Sequence, residues 1–265
     1  MTGLSLHFRE FGRGDKTLVI LHGLLGSSQN WQRAAKILGE KYRVLVVDQR
    51  NHGESPHTPT HTLDDLREDM RDFFEQQNLA SAYLLGHSMG GMAAMEFAFH
   101  YPDRLQGLII EDIAPRGYRS SSVEILAALS ELDLSALTSR QQAEAQLEPR
   151  IPGAMERQFV LTNLARKEDG SYYWRANLPA LQAYNNESPK YEPPVHARYD
   201  GESLFIGGAS SEYRLAHDHH LLLQHFPNSH LEMIPNAGHW IHFEAVEAFT
   251  TLVRRFIDSG SQAFQ

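Results

Sequence analysis

The run Tyr83-Leu84-Leu85-Gly86-His87-Ser88-Met89-Gly90-Gly91 constrains this chain more than any other stretch. An apolar segment, 82–85, breaks into Gly-x-Ser-x-Gly and passes at once into the small-residue apolar stretch 92–99, which has helix-forming character. A strand-to-helix turn that sharp forces its central residue into a strained backbone conformation and leaves no room for side chains two positions to either side. Gly86 and Gly90 supply the room. The expected result lifts the Ser88 hydroxyl clear of the backbone at the carboxyl end of a strand, with a helix N-terminus behind it, as a nucleophile requires.

A second glycine loop fits the first. Residues 17–21 (Thr-Leu-Val-Ile-Leu) form a continuous apolar run, as in a strand buried on both faces, and end in His22-Gly23-Leu24-Leu25-Gly26-Ser27. A serine elbow is served by one backbone N–H from the residue after the nucleophile and another from the loop after an earlier strand. Those oxyanion donors are expected to be the N–H groups of Met89 and Leu24. An ordinary loop with Asn30 capping a helix over 31–38 explains the glycines but not their pairing with the elbow.

Elsewhere strands and helices alternate. Residues 4–11 read as an edge strand, 43–48 as a third strand, 63–74 as an amphipathic helix and 105–110 as a fifth strand. After an interruption come a strand at 203–208, a helix through 221–223, a strand at 231–234 and a closing helix over 244–257. This predicts an α/β fold, a mainly parallel sheet with helices on both faces. The interruption shows no buried strand but helical patterns at 123–132, 140–147 and 155–164, with prolines around them. It is expected to be an inserted helical cap over 115–194, and 1–114 with 195–265 the core. A cap of this kind covers the carboxyl edge of the sheet, where ligands bind in open α/β folds. Its aromatics Tyr118, Phe159, Tyr172, Tyr173, Trp174 and Tyr184 divide between packing and, with Trp240, an apolar acyl pocket; Trp174 and Trp240 are the pocket residues expected.

At 265 residues the chain suits one large domain with an insertion. A net charge of −9 with scattered acids argues against nucleic acid or an anionic membrane as partner. The absence of cysteine removes thiolate nucleophiles and cysteine-ligated zinc. Neither a signal-peptide pattern nor a membrane-spanning run is present, so a cytoplasmic enzyme without stable membrane insertion is expected.

On such a sheet the catalytic groups follow in the order Ser, acid, His. Among fifteen histidines, His239 stands in a glycine-bearing loop directly after the strand 231–234, with His242 its nearest competitor at the edge of the last helix. His22 and His87 read as structural or pocket-lining, and His52 as ordering its own loop. The cluster His217, His219 and His220 beside Asp218 matches no common metal spacing. The acid is harder to place, because 209–212 (Ala-Ser-Ser-Glu) holds no aspartate, whereas the strand at 105–110 ends in Glu111-Asp112. Asp112 is the choice, a short carboxylate just past the strand that can turn to an imidazole Nδ1–H; Glu111 and then Glu212 remain alternatives.

Five stretches, 22–27, 48–55 (Asp-Gln-Arg-Asn-His-Gly-Glu-Ser), 86–91, 111–115 and 238–240, together resemble α/β-hydrolase fold serine esterases, in detail the small YbfF-type bacterial branch. The likeness spans the chain outside the cap. It implies Asp112 as triad acid, a supporting serine after the later strand that falls on Ser210, and hydrolysis of short- to medium-chain acyl esters or thioesters. The function expected is therefore that of a cofactor-independent serine hydrolase with the triad Ser88, Asp112 and His239 and no metal. A cofactor-free lyase or C–C bond hydrolase on the same fold is the alternative.

Overall fold

Apolar side chains alternate between two directions along each central strand, and that alternation builds the molecule. The computed structural model describes residues 3–118 and 122–264. Leu18 and Ile20 on strand β2 (Thr17–Leu21) face one helical layer, and Val19 and Leu21 face the other. The same division separates Leu85 from Leu84 on β4 (Ala82–His87) and Ile109 from Ile110 on β5 (Leu105–Glu111). With β1 (Phe8–Phe11), β3 (Arg43–Val47), β8 (Ser203–Gly208) and β9 (Ser229–Ile234) these strands form a seven-stranded sheet, ordered β1-β3-β2-β4-β5-β8-β9. Only β1 is antiparallel to its neighbour. The expected edge strand over 4–11 is shorter at its start.

One layer of helices comprises α2 (Leu63–Gln76), α3 (Met89–His100) and α8 (His219–His225); the other comprises α1 (Gln32–Gly39) and α10 (Val246–Ser259). The start of α2 is fixed by its sequence, since the Thr62 hydroxyl accepts from Asp65 N–H and the Asp65 carboxylate accepts from Thr62 N–H. Asn30 does not cap α1, although the ordinary-loop alternative would have it do so. Its Oδ1 accepts from the backbone N–H of Ser27 at 2.8 Å, closing the preceding loop instead, and Trp31 stands at the helix start without a side-chain cap.

The segment between β5 and β8 carries α4 (Ser122–Glu131), α5 (Arg140–Leu147), α6 (Ala154–Leu161) and α7 (Leu178–Glu187). It also carries a small antiparallel hairpin, β6 (Leu164–Arg166) with β7 (Tyr172–Trp174), which the sequence did not announce. Three-residue strands are too short to leave a periodic signal. These elements share their own apolar cluster, including Leu129, Leu147, Leu161 and Leu181, and Leu25 of the loop after β2 joins it. Asn163 Nδ2–H donates to the Leu25 carbonyl at 2.7 Å, and Asn177 N–H donates to the Asn51 carbonyl at 2.9 Å, so polar bonds also tie this layer to the loops of the sheet. No helix among the described residues is long and apolar enough to cross a membrane.

Candidate active site

Strand β4 delivers Ser88 into the strained turn that the sequence requires. Ser88 has φ 52° and ψ −118°. A Cβ on Gly86 would lie 2.2 Å from the Gly90 carbonyl oxygen, and one on Gly90 2.5 Å from that of Leu21, so both positions need glycine. The N–H of Ser88 donates to the Glu111 carbonyl at 3.1 Å, which ties the elbow to the end of β5.

Two adjacent acids end β5, and both are completely buried. Their side chains take separate partners. Asp112, at φ 53°, accepts at Oδ1 from the Gly208 N–H at 3.0 Å and at Oδ2 from His239 Nδ1–H at 2.8 Å. Glu111 accepts from the His242 backbone N–H at 2.9 Å and from its Nδ1 at 2.9 Å, while the His242 ring stacks on Trp31 with centroids 4.0 Å apart. Two acid–histidine pairs therefore lie side by side, and only that of Asp112 and His239 opens, with Ser88, onto a shared cavity. Glu212, the remaining alternative acid, is exposed and lines the same cavity.

Ser210 does not support Asp112. It is exposed, with its N–H donating to the Ala237 carbonyl at 2.9 Å, and the neighbouring Ser211 is the residue whose buried hydroxyl donates to Asp112 Oδ2. The turn after β8 decides this, because Ser211 N–H bonds back to the Gly208 carbonyl and brings the second serine under the sheet edge. The same turn supplies Tyr213, which sequence reading missed. Its ring lies parallel to the His239 imidazole, with centroids 4.1 Å apart and an interplanar angle of 8°. A lone tyrosine in a loop carries no pattern by which to find it.

The loop 22–27 and the elbow are held by neutral histidines. His22 Nδ1–H donates to the Gly23 carbonyl at 2.8 Å and its Nε2 accepts from Gln49 N–H at 3.1 Å. His52 Nδ1–H donates to the Arg50 carbonyl, and its Nε2 accepts from the Leu25 N–H at 3.1 Å. His61 Nε2–H donates to the Met89 sulfur at 3.2 Å. Burial pushes all three down, His52 well below its ordinary value and His61 to about 3, so each keeps one ring nitrogen free to accept. Neither Leu24 N–H nor Met89 N–H finds an acceptor among the described residues. Met89 opens the first turn of α3, where backbone N–H groups have no acceptor within the helix.

His87 is also neutral, pushed down by burial and then by His239 and His242. Its Nε2 donates to the His239 carbonyl at 2.9 Å, which pins the backbone of the histidine loop to the elbow. Among the described residues His87, Glu111 and His242 form the one group whose ligand atoms lie close enough to hold a cation. The Glu111 carboxylate there already accepts from the His242 backbone N–H and Nδ1–H, so an ion bound by it would have to displace those bonds. At the cluster His217, His219 and His220, the Asp218 carboxylate accepts from Arg116 Nε at 2.9 Å and from the Tyr118 hydroxyl at 3.2 Å.

Two cavities meet at Ser88. One, of about 320 Å³, is lined by His239, Trp240, Phe159 and Leu25. The other, of about 50 Å³, is lined by Leu63, Met92, Ile113, Tyr118 and Tyr184. Trp240 lines the larger of these cavities, and Trp174 lines neither. It packs within the cap cluster, its indole N–H donating to the Leu129 carbonyl at 3.1 Å, because β7 turns it toward α4.

The family model described as alpha/beta hydrolase fold matches residues 16–246. An sn-1-specific diacylglycerol lipase of Danio rerio, ABHD11, is 35% identical over 255 residues, covering 93% of this chain and 80% of that protein. Esterase YbfF of Escherichia coli K12 is 34% identical over 242 residues, covering 91% of this chain and 92% of that one. A solved structure of a marine microorganism esterase superposes with a TM-score of 0.91 at 36% identity, covering 96% of this chain and all of that chain. By its sheet, its elbow and these likenesses, the chain belongs to the α/β-hydrolase fold family.

Proposed function

We propose that this protein is a cofactor-independent serine hydrolase of carboxylic esters, with thioesters as a second leaving-group class. The observation that carries the proposal is the bond from His239 Nδ1–H to the buried carboxylate of Asp112 at the cavity that Ser88 also lines. With Nδ1 so engaged, Nε2 is the free base. His239 takes the Ser88 proton as the hydroxyl attacks the ester carbonyl, and Asp112 stabilises the imidazolium that forms. The N–H groups of Leu24 and Met89 hold the oxyanion of the tetrahedral intermediate. His239 then protonates the leaving alcohol or thiol, and water repeats the sequence on the acyl-enzyme. The names of the relatives, an esterase and a lipase, agree with ester hydrolysis.

The test is covalent. A fluorophosphonate probe is expected to label Ser88, and Ser88→Ala to lower kcat by about 10⁴ to 10⁶ with the fold intact. An acyl-enzyme trapped by mass spectrometry separates this reading from a lyase, which forms none. Wild-type turnover by Ser88→Ala refutes it.

A further inference from the structure

The two cavities at Ser88 are chemically unequal. A general acid must reach the oxygen or sulfur that leaves, so the leaving group belongs in the compartment that His239 lines, beside Trp240 and Phe159. The acyl group then extends the other way, into the smaller chamber lined by Leu63, Met92, Ile113 and Tyr118, which His239 does not line. This assignment rests on the serine-hydrolase reading above.

Beyond the small chamber lies a third space. It is a cavity of about 800 Å³ with mostly apolar walls, formed between α2, α3 and the end of the cap. Leu63, Tyr184, Ser188 and Tyr191 line both spaces and stand between them. Three elements fix this partition. Leu63 is the first residue of α2; the Tyr184 ring on α7 meets the His61 ring edge-on with centroids 5.2 Å apart; and the Tyr191 hydroxyl donates to the buried Glu96 of α3 at 2.5 Å.

We propose that Tyr184, with Tyr191 in the same wall, is the chain-length stop of the acyl site, and that the outer cavity is a closed-off extension able to take a longer aliphatic chain once that ring is removed. The inner chamber of about 50 Å³ holds roughly three to five water-sized groups, which corresponds to an acyl group of about four carbons. The outer cavity is many times larger, and its walls suit methylenes. Arg67, Lys190 and Arg198 in its lining are already paired, with Asp64, Glu187 and Asp200.

The experiment is an acyl-length profile with p-nitrophenyl esters from acetate to decanoate. The wild type is expected to peak near butyrate, with octanoate lower by about tenfold or more in kcat/KM. Tyr184→Ala raises octanoate relative to butyrate by about tenfold or more, and Tyr191→Phe, which frees that ring from Glu96, moves the profile the same way by less. Trp240→Ala shifts preference among alcohols and leaves the acyl maximum where it was. Should Tyr184→Ala fail to fold, Tyr184→Leu carries the same comparison. An active wild type whose profile Tyr184→Ala or Tyr184→Leu leaves unchanged overturns the stop and leaves the hydrolase reading standing. A wild type that neither hydrolyses any ester nor reacts with the fluorophosphonate overturns both.

Discussion

Changing Asp112 to asparagine replaces one carboxylate oxygen by an amide nitrogen, and the structure dictates which one. The Gly208 N–H, 3.0 Å from Oδ1, can only donate, so the amide oxygen must stay on that side. The NH₂ group then takes the place of Oδ2, 2.8 Å from His239 Nδ1, where it too can only donate. His239 is forced to accept at Nδ1 and carry its proton on Nε2, the nitrogen that should receive the proton of Ser88. The Ser211 hydroxyl rotates to accept from the amide and gives up its own donation to Oδ2, one neutral hydrogen bond, so the change costs function far more than stability. By analogy with other triads the loss is about 10⁴ in kcat, about 5.4 kcal/mol of transition-state stabilisation, with KM little changed. Steady-state turnover of p-nitrophenyl butyrate near neutral pH, beside a thermal melt, measures both parts. Retention of more than about a tenth of wild-type activity by Asp112→Asn, together with its loss in Glu111→Gln or Glu212→Gln, refutes the reasoning and moves the acid elsewhere.

The two serines after β8 are expected to differ. Ser211→Ala lowers kcat roughly twofold to tenfold through one hydrogen bond of about 0.5–1.5 kcal/mol, and the exposed Ser210→Ala leaves it unchanged, as kinetics on the pair will show. Glu111→Ala strands two buried donors of His242, its backbone N–H and its Nδ1–H, at about 1–3 kcal/mol each; urea unfolding should register the loss, while the folded fraction still labels with fluorophosphonate. His61 titrates at about 3 in the folded chain and near its ordinary value of 6.5 in the unfolded one, so over that interval the unfolded state binds the extra proton and stability falls as pH falls. His61→Gln therefore flattens the dependence of unfolding free energy on pH by about 1.4 kcal/mol per unit within that window, and an unaltered slope in urea titrations at stepped pH contradicts neutral burial of His61.

What could be read in the sequence was whatever sits at the end of a buried strand. The elbow after β4, the glycine loop after β2 and the acids after β5 are each announced by an apolar run that stops abruptly, the histidine loop after the half-buried β9 by its Pro-Asn-Ala-Gly turn, and the direction of a parallel sheet brings all four to one edge. Position within a tight turn could not be read. Ser210 and Ser211 are chemically identical neighbours, and only the bond from Ser211 N–H to the Gly208 carbonyl decides which hydroxyl reaches Asp112. Trp174 belongs to a hairpin too short for periodicity, and whether an aromatic on the cap faces substrate or packing depends on tertiary contacts that no local pattern encodes. The choice between Glu111 and Asp112 was open for the same reason, since both end the strand and only the stacking of His242 on Trp31 draws the first away.

Strands β4 and β5 pair directly, with His87 opposite Glu111, so the residues that follow, Ser88 and Asp112, emerge from neighbouring rungs of one ladder. Their separation is a property of the sheet, about 4.8 Å per strand, and no loop can relax it. Both also precede the cap in the chain, which leaves everything after β8 with lighter duties. That later part has only to present His239 and keep Ser211 and Tyr213 against their partners. For the protein engineer this makes a modular enzyme. A library randomised at the exposed Glu212 can remodel one entrance to the site while Ser88 and Asp112, anchored upstream, stay in register.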